Sequence, residues 1–370
     1  MRAALALFLS LLLGLAPAGT AGAQSRLDYP ARAGGTGTAL TINGALDTPL
    51  IAPLLEDFHH RNPDIALRYD NLTTLAVYSD FLDDETDPRP DVVLSSAMPW
   101  QYRLANDGYA QPLESPAARA WPEWARWRHE LFAITFEPVV IVYRRELAER
   151  FGAVTSHAGL LDLLTEHRQA LEGRVVTYDP TLSGAGYSYA IEEARLSPRY
   201  WELVAALGSV DTALVGTTRE MLEGLAAGRY LLGYNLLGSY ARDFVSSHPG
   251  LEIAVPDDYA LVTQRLAFIP RDAPHPRAAR RFLDYLLSEA GQRAISELTT
   301  LGAIHPALDG PGTANALRER LGDALRPIRI GPGLLATLDR LKREALLARW
   351  TREFRRGTIG AAAPQETTPP

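Results

Sequence analysis

The chain has 370 residues, 46% hydrophobic and 22% charged, which is ordinary for a globular protein large enough for two well-filled domains. Its formal net charge of −7 gives no reason to expect nucleic-acid binding. It contains no cysteine, which excludes disulfides, cysteine nucleophiles, thiolate metal sites and a lipid-modified N-terminal cysteine.

Residues 1–23 have the pattern of a secretory signal peptide. Arg2 provides the positive charge, Ala3 to Pro17 is almost wholly apolar, and Ala21-Gly22-Ala23 has the A-x-A form of a cleavage site. The apolar run is shorter than the ~20 residues that a membrane-spanning helix needs, so a membrane anchor is the weaker alternative. We therefore expect export to a bacterial periplasm, with Gln24 as the mature start and the protein free in solution.

The polar segment 24–37 is expected to be a loose arm, after which strands and helices alternate. The predicted strands lie, in order, at 39–43, 65–69, 91–96, 139–143, 174–178, 230–235 and 251–255, with an extended stretch at 261–269 that returns to the first half. Helical periodicity fills most of the intervals between them. This alternation predicts an α/β fold with mainly parallel sheets, and Glu137-Pro138 as a crossing point between two lobes.

Side chains that can form hydrogen bonds follow most of these strands. In open α/β sheets, ligands bind outside the carboxyl ends of the strands, so these loops are expected to line one cleft. The loops are Asn43-Gly44, Thr73-Thr74, Ser95-Ser96, the segment 179–186 with Thr181 and Ser183, Tyr234-Asn235 and Asp258-Tyr259.

The segment 179–189 is the most informative of these loops, because it follows a strand and opens a helix. Ser183 is a good helix N-cap, and Gly184 and Gly186 let the backbone approach a ligand closely. The first amides of such a helix lie at the positive end of its dipole and form an anion site. An ordinary β–α turn is the alternative interpretation.

Six segments carry a family resemblance between about Leu40 and Trp350: Pro90–Ala97, Val140–Tyr143, Asp179–Gly186, Gly233–Asn235, Pro256–Tyr259 and Phe282–Gln292. In their order and spacing the chain resembles the type II periplasmic solute-binding proteins of ABC transporters. The closest likeness is to the branch that binds ferric ion, thiamine, aminoethylphosphonate and phosphoglycerate or sugar phosphates. The resemblance implies two α/β lobes, each a mainly parallel sheet flanked by helices, joined by crossover hinge strands and closing on a ligand.

With this resemblance, the chain is expected to divide as follows: residues 24–138 with 260–356 form the first lobe, 139–259 form the second, and 357–370 form a disordered tail. The expected function is not enzymatic. The protein would capture a small anionic solute bearing a phosphate, phosphonate or carboxylate, and deliver it as a monomer to an inner-membrane ABC permease. No catalytic residue, metal or cofactor is expected. The predicted ligand-binding residues are Asn43, Gly44, Thr73, Thr74, Ser95, Ser96, Thr181, Ser183, Gly184, Tyr187, Asn235 and Tyr259.

Ferric iron is an alternative ligand within the same family. Its ferric binders usually offer an adjacent tyrosine pair near the end of the second lobe. Here the corresponding positions are Tyr234-Asn235, with Tyr240 further on. A hard ferric ion needs phenolates or carboxylates, so a single tyrosine is a poor ligand set and an organic anion is favoured.

Two further functions belong to other classes. A serine hydrolase is suggested by Gly186-Tyr187-Ser188-Tyr189-Ala190, which approaches the G-x-S-x-G elbow, with Asp257 or Asp258 and His275 or His305 following in the right order. The last glycine of that motif is alanine here, and the serine lies several residues beyond its strand. A ligand sensor that reports to a membrane kinase is suggested by the basic C-terminal helix predicted at 334–354, although packing across the back of the first lobe is the simpler interpretation.

Overall fold

The structure is a computed structural model that describes residues 25–32 and 38–362. The predicted signal peptide, residues 1–23, lies outside the described residues, as does the end of the predicted tail, 363–370. Within the described ranges, every helix is too short or too polar to cross a membrane.

The strands of the described residues are β1 (Ser25–Tyr29), β2 (Thr38–Gly44), β3 (Ile65–Asn71), β4 (Val92–Ser95), β5 (Arg126–Trp127), β6 (Leu131–Ala133), β7 (Glu137–Arg144), β8 (Val175–Tyr178), β9 (Ala213–Val215), β10 (Leu232–Leu237), β11 (Leu251–Ala254), β12 (Ala260–Thr263), β13 (Leu266–Phe268) and β14 (Leu325–Pro327).

The α-helices are α1 (Thr48–Arg61), α2 (Ala76–Leu82), α3 (Met98–Asn106), α4 (Pro116–Ala120), α5 (Arg145–Phe151), α6 (His157–Glu166), α7 (Arg168–Leu171), α8 (Gly184–Leu196), α9 (Tyr200–Ser209), α10 (Thr218–Ala226), α11 (Gly238–Ser247), α12 (Pro276–Leu287), α13 (Glu289–Leu298), α14 (Ala314–Leu321), α15 (Gly333–Thr337) and α16 (Arg340–Ala362). Two 3₁₀ turns lie at Glu123–Ala125 and Gly322–Ala324.

The strands form two sheets. The first sheet has the order β1-β3-β2-β4-β13-β6-β5, in which β2 runs parallel to β3 and β4 while the other pairs are antiparallel. The second sheet has the order β14-β12-β7-β10-β8-β9, with β11 beside β7. There β8 runs parallel to β9 and β10, and β12 to β14, while β7 is antiparallel to its neighbours. We call each sheet with its flanking helices a lobe.

The chain crosses between the lobes on two neighbouring segments. One leads from β6 of the first sheet into β7 of the second, which begins at Glu137 and so includes the predicted crossing point Glu137-Pro138. The other leads from β12 back to β13, which are separated only by Gln264 and Arg265. The two segments bond to each other, because Ile134 N donates to the Arg265 carbonyl oxygen at 2.9 Å. This pair of crossings joins the two lobes.

The two-sheet α/β architecture confirms the predicted fold class, but each sheet is mixed rather than mainly parallel. The crossing strands are the reason, since β7 and β13 enter their sheets antiparallel to the strands beside them. The core of the first lobe forms where α1 and α12 cover the sheet, and Phe58 meets Phe282 edge-on at 4.9 Å between ring centres. Burial of such apolar side chains is the main force that holds each lobe together.

The N-terminal arm is more ordered than predicted. Residues Ser25–Tyr29 form the edge strand β1, which pairs antiparallel with β3. Arg26 Nε lies 2.6 Å from an oxygen of the Asp70 carboxylate, and the partly buried ring of Tyr29 packs against the core. The strand has only five residues, which is too short for its alternation to be recognised among polar neighbours.

The C-terminal segment also differs from the prediction. The expected helix at 334–354 is divided into α15 and α16. Helix α16 packs mainly on α9 of the second lobe, and its Arg343 also lies 5.9 Å from the Trp100 ring of the first. It continues to Ala362, so residues 357–362 are helical rather than part of a disordered tail. Glycines allow this close contact: a Cβ on Gly208 would overlap the Phe354 carbonyl oxygen, and one on Gly357 would overlap that of Ala205.

Candidate functional site

A cavity of ≈ 160 Å³ lies between the two lobes, next to the crossing segments. From the first lobe it is lined by Ala45, Asp47, Asn71, Leu72, Thr73, Thr74 and Ser96. From the second lobe it is lined by Tyr178, Leu182, Ser183, Ala185, Gly216, Thr217, Thr218, Arg219, Leu237 and Tyr240. Arg265, on the crossing between β12 and β13, completes the lining. Hydroxyl groups and two arginines therefore dominate its polar surface.

Several helices begin at this cavity. Its lining includes the residues immediately before α1, α8 and α10, which are Asp47, Ser183 and Thr217, and it includes Ser96 two positions before α3. Each helix N-terminus carries about half a positive charge from aligned peptide dipoles. Four such ends, two from each lobe, therefore create a positive potential at the cavity. The arrangement follows from the fold, because the loops at the carboxyl ends of parallel strands lead directly into helices.

Three contacts close the cavity from opposite sides. The Asp47 carboxylate of the first lobe accepts hydrogen bonds from Arg219 Nε and, at 3.1 Å, from the Tyr240 hydroxyl of the second lobe. The Gly184 amide of the second lobe donates to Thr74 Oγ1 of the first at 3.2 Å. We refer to Asp47, Arg219 and Tyr240 as the latch. Partial burial lowers the pKa of Arg219, but the Asp47 carboxylate outweighs it and the net shift is upward, so the latch is an ion pair.

Arg265 is held at the junction of the lobes by contacts to several elements. Its Nε lies 2.9 Å from the Glu137 carboxylate at the start of β7, and its Nη1 donates to the Ala45 carbonyl oxygen at 2.8 Å. Glu137 also accepts hydrogen bonds from Thr135 Oγ1, at 2.7 Å, and from Ser239 Oγ. Burial lowers the pKa of Arg265, but Glu137 and nearby tyrosines outweigh it, so the group remains a cation.

Two tyrosines of the lining are neutral hydrogen-bonding groups. Burial raises the pKa of Tyr178 to about 12, and its hydroxyl bonds with Thr218 Oγ1. Burial also raises the pKa of Tyr240, whose ring lies 5.8 Å from the Arg265 guanidinium. Near neutral pH both therefore keep their protons and can donate to a ligand oxygen.

Four of the predicted binding residues line the cavity: Thr73, Thr74, Ser96 and Ser183. Ser183 is also the N-cap of α8, as predicted, since its Oγ accepts a hydrogen bond from the Gly186 amide at 3.1 Å. Gly184 lies at the edge of the cavity, where its amide meets Thr74.

Four more predicted residues have structural contacts instead of a place in the lining. Asn43 is buried in β2, and Gly44 leaves room for the Tyr69 ring, because a Cβ there would lie 2.6 Å from Tyr69 Cε2. Ser95 Oγ accepts from the Ala97 amide at 3.1 Å in the turn before α3. Thr181 is exposed, and its backbone amide donates to the Asp179 carboxylate at 2.7 Å.

The last three predicted residues do not belong to the lining. The Tyr187 hydroxyl donates to the Thr337 carbonyl oxygen before α16, and its ring packs edge-on against Trp100 at 5.6 Å. Asn235 has a φ of 66° at an irregularity of β10. Tyr259 stacks on His157 with 3.8 Å between ring centres.

The important lining residues that were not predicted are Asp47, Thr218, Arg219, Tyr240 and Arg265. The first four also follow strands, and a prediction of β9 at Ala213–Val215 would have directed attention to Thr218 and Arg219. The signal for Arg265 was the single charged residue in the extended stretch 261–269.

The serine of the hydrolase-like motif is not placed for nucleophilic attack in this structure. Ser188 is buried within α8, and its Oγ donates to the Gly184 carbonyl oxygen at 2.8 Å. Two of the suggested partners have other contacts, since Asp258 lies 2.9 Å from His157 Nδ1 and His275 Nδ1 lies 3.1 Å from Asp91. Activation of a serine requires a base within hydrogen-bond reach of its hydroxyl.

Comparison with protein families finds one matching model, described as bacterial extracellular solute-binding protein, over residues 40–297. A comparison with curated protein sequences finds no significant match.

Solved structures with similar folds include three binding proteins. The substrate binding protein of an ABC transporter from Agrobacterium tumefaciens is 36% identical, with a TM-score of 0.85 over 90% of this chain and 98% of that one. Iron-bound HitA from Pseudomonas aeruginosa is 17% identical, with a TM-score of 0.64 over 85% and 99% of the two chains. AfuA from Actinobacillus pleuropneumoniae, with exogenous fructose-6-phosphate bound, is 15% identical, with a TM-score of 0.69 over 87% and 99%.

Proposed function

Because the chain belongs to the bacterial extracellular solute-binding proteins of ABC transporters, we propose that it captures a small anionic solute between its lobes and delivers it to an inner-membrane permease. The solute carries a phosphate, phosphonate or carboxylate. Binding proteins of this kind bind their solute and release it unchanged, so no catalytic residue is assigned.

The main support for an anionic ligand is that four helix N-termini converge on the cavity between the lobes. The cavity adds hydroxyl donors from both sides, including Thr74, Ser96 and Thr218, and a buried arginine at its base. Preorganised neutral dipoles and one fixed cation bind an anion well in a site from which water is excluded. The ≈ 160 Å³ of the cavity suits a small solute.

Ferric iron is less compatible with this lining. A ferric ion requires several anionic oxygen ligands, but the Tyr178 hydroxyl bonds with Thr218 and the Tyr240 hydroxyl with Asp47. The one carboxylate of the lining, Asp47, is paired with Arg219. The nearby tyrosine of the predicted iron position, Tyr234, directs its hydroxyl to Glu193. We therefore place iron behind an organic anion, even though HitA binds it in a similar fold.

Ligand capture proceeds by hinge closure in this proposal. The first lobe holds strands β1 to β6 and β13, the second holds β7 to β12 and β14, and the C-terminal helix α16 packs mainly on the second. The latch and the contact of Gly184 with Thr74 form only when the lobes are closed. A ligand that bridges the lobes therefore shifts the population toward the closed state. The mature protein acts as a monomer in the periplasm and is not anchored to lipid.

A thermal-shift panel of sodium phosphate, 3-phosphoglycerate, fructose 6-phosphate, citrate, thiamine and ferric citrate tests the proposal on the mature chain. A ligand present at 100 times its Kd adds about 2.7 kcal/mol to the free energy of unfolding, which is a clear shift. We expect stabilisation by at least one phosphorylated or carboxylated compound. Iron-free citrate is the control for ferric citrate, and we expect the two to stabilise the protein equally. Stabilisation by ferric iron alone, or by thiamine alone, would contradict the proposal.

A further inference from the structure

Arg265 lines the cavity and has one donor group without a partner among the described residues. The side chain is 1% exposed, and its Nε and Nη1 are bonded to Glu137 and Ala45. Within the described ranges, Nη2 has no hydrogen-bond partner. A guanidinium carries five N–H donors, and leaving buried charged donors unsatisfied costs more than about 1–3 kcal/mol. Arg265 differs from the other arginines with an unpartnered nitrogen, such as Arg174, in that it also lines the cavity between the lobes.

The surroundings of Arg265 indicate what that molecule is. The residue lines the cavity together with the hydroxyl groups of Ser96, Thr74 and Thr218, and with the helix N-termini already described. The two carboxylates near it are both occupied: Glu137 accepts three hydrogen bonds, and Asp47 accepts from Arg219 and Tyr240. Nη2 itself bonds none of these carboxylates, so its donor capacity is left for a ligand oxygen.

We propose that Arg265 Nη2 donates hydrogen bonds to an oxygen of the solute's anionic group, phosphoryl or carboxylate, and is the main anchor of the ligand. This inference rests on the function proposed above and assigns the residue that recognises the anion. Charge-assisted hydrogen bonds from a guanidinium to such oxygens are about twice as strong as neutral ones.

The position of Arg265 also connects the anchor to closure. Its Nη1 bonds the loop after β2 in the first lobe, its Nε bonds the start of β7, and Tyr240 of the second lobe lies over its guanidinium. An anion bonded to Nη2 is thus bonded to a guanidinium that residues of both lobes contact. The hydroxyls of Thr74 and Thr218 then approach it from opposite lobes as the cavity closes.

The test is isothermal titration of the mature protein with the panel oxyanion that stabilises the wild type most. The test variant is Arg265→Gln combined with Glu137→Gln, which removes both buried charges together and leaves no unpaired carboxylate. Arg174→Gln is the matched control. Arg174 is a half-buried arginine directly before β8; its Nη2 bonds the Gly228 carbonyl oxygen, and it does not line this cavity.

We expect the double variant to lose at least about tenfold in affinity, since each tenfold corresponds to about 1.4 kcal/mol, and the control to bind within about twofold of wild type. Arg265→Lys keeps a cation beside Glu137 but loses the planar fork, so it provides a second, milder variant and is expected to lose affinity severalfold. A circular dichroism melt checks that each variant is folded.

The inference is overturned if a folded Arg265 variant, double or Lys, binds the oxyanion as tightly as wild type. In that case the proposed function still stands, because the wild type binds an anion by other groups. If no oxyanion of the panel stabilises the wild type, the proposed function fails and this inference fails with it.

Discussion

The latch makes a quantitative prediction about ligand affinity. Arg219→Ala removes the ion pair that joins Asp47 to the second lobe. The Arg219 side chain is 42% exposed and the Asp47 side chain 20%. A partly exposed pair contributes about 1 kcal/mol. The Asp47 carboxylate is then unpaired at the cavity wall, where its repulsion of an anion adds up to about 1 kcal/mol more. A loss of about 1–2 kcal/mol weakens the Kd about 5- to 30-fold.

A second substitution separates the two contributions. In Asp47→Asn combined with Arg219→Ala, the repulsive charge is gone while an amide oxygen can still accept the Tyr240 hydroxyl, now 3.1 Å from Asp47. The double variant should therefore bind the anion more tightly than Arg219→Ala alone. Asp47 accepts no hydrogen bond from the amides of α1 through its side chain, so its replacement does not remove a helix cap.

Isothermal titration with the stabilising oxyanion measures these effects. The matched control is Arg281→Ala, which breaks an exposed ion pair with Asp64 on the first lobe and should leave the Kd within about twofold of wild type. The reasoning about the latch is refuted if Arg219→Ala binds the anion as tightly as wild type, or if adding Asp47→Asn weakens binding further.

Two further predictions concern stability. Burial lowers the pKa of His157, but the carboxylates of Asp258 and Glu193 outweigh burial and raise this pKa from 6.5 to about 9. The stability that protonated His157 contributes is therefore complete below pH 6.5 and is lost as the pH rises through about 9. Urea unfolding should show a smaller loss over that pH range in His157→Gln than in wild type, and equal losses would contradict the assignment. Gly208→Ala should lower the free energy of unfolding by about 1–3 kcal/mol, since its Cβ would overlap the Phe354 carbonyl oxygen of α16. Gly250→Ala, with nothing within 4 Å of the added Cβ, is the control and should be neutral or slightly stabilising; equal effects would show that α16 does not pack on α9.

Local sequence was sufficient for many of the elements and for part of the site, although it missed the short strands β1 and β9. The strand that ends at Tyr178 and the cap at Ser183 are encoded within a few residues, so both were predictable, and Ser183 does line the cavity. Thr181 and Tyr259 follow strands equally well, yet one bonds within its own turn and the other stacks on His157. A strand-end rule identifies the correct edge of a sheet, but the direction of each side chain depends on packing that short-range patterns do not contain.

The role of Arg265 depends on contacts that no local pattern encodes. Its partners Ala45 and Glu137 lie 220 and 128 residues away in the chain, and they meet it only once both crossings have formed. The C-terminal helix is a similar case, because its basic composition was evident while its packing on α9 depends on the paired glycines Gly208 and Gly357.

A crystal structure of the protein with its most stabilising oxyanion tests the central claim most directly. We predict density for the ligand in the cavity between the lobes, with an anionic oxygen within hydrogen-bond distance of Arg265 Nη2 and with hydroxyls of Thr74 or Ser96 and Thr218 around it. A ferric ion in that cavity, or a solute bound there with no anionic group facing Arg265, would contradict the account.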